Sequence, residues 1–193
     1  MAEDLISSMG KGLVYEDHIP LRWNRLSSPL PPARRSRLDQ QNEEMLAFIS
    51  ILEEHKGEGG EDEHDPHRVD LLRVEHKVNL LLDMVGQLLA RQTDMPAPVP
   101  VRLTPEAIEW RAGEAPLADD RLLLEIFISN KYPTPLVFSG QVRAVEPGEG
   151  GARVVVAFEG SSESVTHALE KLIFRHHRRL VALARRRQED AST

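Results

Sequence analysis

The residues best suited to chemistry lie near the end of the chain. Arg175, His176, His177, Arg178 and Arg179 fall within a stretch, Lys171 to Arg187, that holds seven basic residues and no acidic one. Arginine's planar fork pairs with phosphate through two hydrogen bonds, so Arg175, Arg178 and Arg179 are candidate anion-binding residues. The same residues have a simpler account. Cations near a helix C-terminus complement its dipole, and a basic helix can face the stretch Glu43 to His76, where eleven acidic residues meet three basic ones. Arg34, Arg35 and Arg37 are likewise read as the solvated flank of a helix. His55, His64, Asp65, His67 and His76 are ligating types, yet their spacing matches no tight zinc pattern. His176 and His177 are adjacent and point to different sides of their helix, so no metal is expected. Carboxylate pairs such as Glu43-Glu44 and Asp119-Asp120 sit in polar surroundings that raise neither pKa enough for acid/base work. The chain has no cysteine, no Gly-x-Ser-x-Gly elbow, no P-loop, no dinucleotide fingerprint and no His-Glu-x-x-His. Neither a catalytic residue nor a cofactor is expected, and the chain does not read as an enzyme.

These residues need elements to hold them. At 193 residues, 40% hydrophobic and 28% charged with a net charge of −7, the chain can bury a core, which excludes a wholly disordered or nucleic-acid-coating protein. An aromatic content of 5% leaves few stacking platforms. The chain opens Met1-Ala2-Glu3-Asp4 with no positive n-region, and every apolar run stops short of the roughly 20 residues that span a bilayer. Cytoplasmic localisation without membrane insertion is the expectation.

Residues 1–35 show no sustained apolar period and read as an irregular tail. Residues 36–93 read as a helical hairpin. Its first helix starts near Leu38, with Leu38, Met45 and Leu52 seven apart; Gly57, Gly59 and Gly60 end it, and Pro66 suits the start of the second. In that second helix Leu71, Val74, Val78, Leu81, Val85 and Leu88 are spaced alternately three and four, a heptad seam. Leu80, Leu82, Met84 and Leu89 widen the apolar girth toward its end. The first helix is expected to cover one side; the other needs a second chain or the C-terminal half of its own. Leaving four or five such side chains in water, at about 1.5–3 kcal/mol each, would outweigh a small domain's stability, so self-association is expected.

Asp94 to Pro100, with three prolines at alternate positions, marks a boundary. From residue 94 to 193 the pattern turns to period 2: Val99-Val101-Leu103, Ile108-Trp110, Leu122-Leu124-Ile126, Leu136 to Val145 and Arg153 to Phe158. About five short strands joined by turns suggest a small antiparallel barrel. Ser161 or Ser162 caps a closing helix whose apolar face is Val165, Leu169, Leu172, Ile173, Leu180 and Leu183. The fold class is α+β: a two-helix hairpin, a barrel and a C-terminal helix.

The order of Val101-Arg102-Leu103-Thr104-Pro105-Glu106-Ala107-Ile108-Glu109-Trp110, Leu122 to Ile126, Leu136 to Val142 with Gly140, Val154 to Phe158 and Phe174 to Arg178 resembles the PilZ family. With the heptad helix ahead of it, the chain is similar to the atypical, tetrameric branch. The resemblance implies a barrel in the service of cyclic di-GMP signalling and added helices that assemble subunits through a coiled-coil bundle. It also implies a nucleotide motif, Arg-x-x-x-Arg followed by Asp/Asn-x-Ser-x-x-Gly. Here the lead-in lacks arginine, Arg102 stands at the acidic or amide position, Thr104 at the serine and Ala107 at the glycine. Losing charge-assisted hydrogen bonds worth about 1.5–3 kcal/mol each weakens binding by orders of magnitude, so tight cyclic di-GMP binding at the usual site is not expected. The leading expectation is a non-enzymatic adaptor, a homo-oligomer and in the sense of that branch a tetramer, serving an unnamed protein partner. The alternatives are a cyclic di-GMP receptor using Arg102, Arg111 or the last helix's arginines, and nucleic-acid binding through Lys171 to Arg187.

Overall fold

The computed structural model describes residues 13–54, 66–129, 132–148 and 150–190. Six strands, β1 (Tyr15–Leu26), β2 (Pro98–Leu103), β3 (Ala107–Ala112), β4 (Arg121–Ile126), β5 (Leu136–Glu146) and β6 (Ala152–Phe158), close into an antiparallel barrel in the order β1-β2-β3-β6-β5-β4. Among the described residues three helices accompany it: α1 (Pro32–Glu54), α2 (Pro66–Gln92) and α3 (Glu163–Asp190).

The period-2 strands behave as their pattern dictates. Leu122, Leu124 and Ile126 of β4, Ile108 and Trp110 of β3, and Val154 and Val156 of β6 all point inward and are buried. Gly140 answers a close approach between β5 and β6, since a Cβ there would lie 2.6 Å from the carbonyl oxygen of Ala157 and 2.6 Å from Val156 Cγ1. Just beyond it the β5–β6 register shifts between Val142 and Ala144, a bulge that bends the strand as barrels require. α3 buries Val165, Leu169, Leu172 and Ile173, and Ser162 caps it by accepting the Val165 N–H at 3.2 Å.

The expected irregular tail over residues 1–35 is corrected: its second half is β1, and α1 begins at Pro32, so Arg34, Arg35 and Arg37 belong to the first turns of a helix. β1 hides from a periodicity search because it serves two neighbours. Tyr15–Pro20 pair with β2, Leu21–Leu26 pair with β4, and the change falls at Pro20, where Ile19, Pro20 and Leu21 are buried in succession. Alternation breaks at that bend, and a residue with no N–H is tolerated there.

The two helices expected over residues 36–93 are α1 and α2, and what differs from the expectation is the neighbour on which α1 buries its apolar face. α1 places Met45, Leu46 and Ile49 in the same core cluster as the barrel and α3 instead of against α2. Asn42, buried, ties it down: its amide donates to the Val137 carbonyl at 2.9 Å and accepts the Val137 N–H at 2.8 Å. Between α1 and α2 lies a cavity of about 550 Å³, lined by Phe48, Ile51, Leu52, Leu71, Val74, Val78 and Tyr132 among others. No helix among the described residues is long and apolar enough to cross a membrane.

Candidate functional site

The three motif positions meet at the β2–β3 turn, and each is already engaged. Thr104 is buried and stitches the turn: its hydroxyl accepts the Ala107 N–H at 3.0 Å, and its own N–H donates to the Ala107 carbonyl at 2.9 Å. Ala107 is fully buried beside Val155 and Ala144. Arg102 reaches two carboxylates, Glu16 on β1 at 2.9 Å and Glu109 on β3 at 3.5 Å.

That pair of contacts belongs to a longer belt. Glu109 also takes Arg153 of β6 at 2.8 Å, and Arg153 reaches Glu146 of β5 at 2.9 Å. Glu16, Arg102, Glu109, Arg153 and Glu146 thus alternate in sign across five strands of the outer face. Burial on its own would raise the Glu109 carboxyl, but the hydrogen bond and charge of Arg153, joined by Arg102, outweigh it and hold the group below its ordinary 4.5. Arg153 is shifted upward, chiefly by its hydrogen bond to Glu109. Beside the belt a cavity of about 530 Å³ is lined by Glu16, Asp17, His18, Arg102, Glu109 and Arg111, with parts of β2 and β3. Sequence reasoning singled out Arg102 and Arg111 but missed Glu109, Arg153, Glu16 and Glu146. The signal was present in β3, where Ala107, Glu109 and Arg111 share the outward phase that Ile108 and Trp110 leave.

The basic helix does not gather its arginines around one ligand position. Arg175 donates to Ser50 Oγ of α1 at 2.6 Å, Arg178 stands 5.9 Å from the Phe174 ring centroid, and Arg179 is exposed. His176 lies against Tyr15, ring centroids 3.9 Å apart. His55, His64 and Asp65 lie outside the described residues, as does the side chain of His67. Among the described residues no group of three or more His, Asp or Glu is placed to hold a metal.

The seam is different in kind. Leu71, Val74, Val78, Leu81, Val85 and Leu88 are all on α2 and all 47–67% exposed, and Leu72, Leu80, Met84 and Leu89 are exposed beside them. The chain's own C-terminal half does not cover this face.

A tetrameric PilZ domain of Xanthomonas campestris, described as self-assembled via an unusual helical bundle, has a fold to which this chain is similar: TM-score 0.74 and 22% identity, covering 94% of this chain and 97% of that one. An inhibitor of motility from Bacillus subtilis overlaps 42% of this chain and 41% of its own at 13% identity, with a TM-score of 0.35. No curated protein matches the chain. The sequence pattern described as "atypical PilZ domain, cyclic di-GMP receptor" matches residues 45–186, from the middle of α1 through α2 and strands β2 to β6 into α3. With that match over most of its length, the chain belongs to the atypical PilZ domain family.

Proposed function

We propose that this protein is a non-enzymatic signalling adaptor of the cytoplasm, which self-assembles through α2 into a homo-oligomer, a tetramer, and presents repeated barrels to a protein partner in a cyclic di-GMP pathway. The observation that carries this reading is the exposed seam. Six heptad side chains, each contributing about 1.5–3 kcal/mol on full burial, are a cost no small domain carries alone in water. What assembly adds to the barrel is avidity: repetition of a weak site strengthens binding without new contacts. The belt supports the absence of tight nucleotide binding, because Arg102 already serves two carboxylates and Thr104 and Ala107 are committed to the turn. Light scattering at micromolar concentration tests the assembly. A mass several times 21.7 kDa is expected, and a single species at 21.7 kDa overturns the reading.

One observation favours a second reading, a cyclic di-GMP receptor with a non-standard pocket: Arg102 and Arg111 line the same cavity. Calorimetry decides it. Absence of both heat and a melting shift with cyclic di-GMP removes this alternative.

A further inference from the structure

We propose that Arg102, Arg111 and Arg153 form an oxyanion-binding cluster of the phosphate class on the outer face of the barrel, and that Glu109 of the same chain keeps it closed. The three arginines stand on adjacent strands. Arg102 is opposite Glu109 in the β2–β3 register, and Arg111 is directly opposite Arg153 in the β3–β6 register. Like charges facing each other across a sheet are unfavourable unless an anion lies among them. Glu109 supplies an anion to two of the three arginines: it takes Arg153 at 2.8 Å and Arg102 at 3.5 Å, and it sits two residues from Arg111 on the same face. Its side chain is only 13% exposed, and it borders the cavity that Arg102 and Arg111 line.

Arginine forks recognise carboxylate and phosphate with the same geometry, so the donors that hold Glu109 suit a phosphoryl group equally well. A tethered carboxylate competes at high effective concentration, which leaves free anions at a disadvantage while it is in place. Glu16 and Glu146 hold Arg102 and Arg153 from the far side and keep both guanidinium groups oriented if Glu109 loses its charge. This deepens the reading that the wild-type barrel takes no nucleotide tightly, and it names the residue responsible.

The test is calorimetry of the full chain with inorganic phosphate and, separately, with cyclic di-GMP. Wild type is expected to bind phosphate only weakly and to give no heat with cyclic di-GMP. Glu109→Gln is expected to bind phosphate on the order of tenfold tighter than wild type, and Glu109→Gln/Arg153→Gln is expected to lose that gain. A cyclic di-GMP response in Glu109→Gln beyond the phosphate response assigns the site to a nucleotide phosphate; an equal response assigns it to phosphate alone, and both support the cluster. A cooperatively folded Glu109→Gln protein that binds phosphate no better than wild type overturns it, as does a gain that survives in the double variant. Tight cyclic di-GMP binding by wild type overturns the adaptor reading on which the cluster rests instead. Should Glu109→Gln fail to fold, Glu109→Asp shortens the arm by one methylene with its charge kept: phosphate-dependent shifts of the arginine Nε–H resonances support the cluster, and their absence rejects it.

Discussion

The barrel and α2 both draw heavily on leucine and valine and end in opposite states. In the barrel Leu122, Leu124, Ile126, Val154 and Val156 are fully buried, and the charges outside pair with one another from β1 to β5. On α2 Leu71 is 67% and Leu81 61% exposed. A closed sheet satisfies its own edges and its own core, whereas a rod with apolar residues on several sides cannot fold back over itself. The barrel with α1 and α3 packed on it is therefore complete within one chain, whereas the apolar face of α2 is left in water.

The sharpest way to break this contrast is to charge the rod and leave the barrel alone. Val78→Glu together with Leu81→Glu places two carboxylates in the middle of the seam, and the mass in solution is expected to fall to 21.7 kDa. Trp23 on β1 and Trp110 on β3 report on the other side of the comparison, since both belong to the barrel: their emission is expected to match that of wild type. An unchanged mass and melting curve in the double variant would show that the exposed seam is not an interface.

A smaller effect is expected at the join between α1 and the barrel. Asn42→Ala removes both hydrogen bonds to Val137 and leaves that residue's N–H and carbonyl without their protein partner. The expected cost is about 2 kcal/mol in chemical denaturation, with assembly unaffected because Asn42 lies on the side of α1 that meets β5. A change below about 0.5 kcal/mol would mean that water replaces the amide without loss.

Which parts of this molecule could be read from its sequence follows from how many neighbours each segment serves. β4 faces one core from one side, and its Leu122-Leu124-Ile126 alternation gives it away. The heptads of α2 are legible because a single period runs through them unbroken. β1 is divided between β2 and β4 with Pro20 at the change, so no single period survives along it. α1 misleads in another way. Its seven-residue spacing marks an apolar face correctly, but periodicity carries no information on which neighbour that face meets, and Met45, Leu46 and Ile49 meet the barrel. At the candidate site Arg102, Thr104 and Ala107 were visible as motif positions. Their engagement was not, because Glu16, Glu109, Arg153 and Glu146 come together only when β1, β2, β3, β6 and β5 are placed side by side.

The smallest expected effect sets two carboxylates against each other, one in the belt and one on α1. Glu109 titrates below its ordinary 4.5 in the folded chain: burial pushes it up, and Arg153 and Arg102 more than compensate. A carboxyl lowered by folding stabilises the native state above its unfolded pKa, and that contribution is lost as pH falls through the lowered folded value. Asp39 is raised above its ordinary 3.8, mainly by burial, with the backbone N–H of Ser162 opposing. Its sign is reversed: folding favours its protonated form, so its contribution is present below pH 3.8 and fades as pH rises through the folded value. Wild type is therefore expected to lose ground against Glu109→Gln on acidification below about pH 4.5 and to gain ground against Asp39→Asn over the same range. Each difference should stay within about 1 kcal/mol because both groups are partly solvated. Melting temperatures of the two variants and wild type between neutral and acidic pH check the pair, and slopes of equal sign would contradict the assignment of opposite surroundings to these two groups.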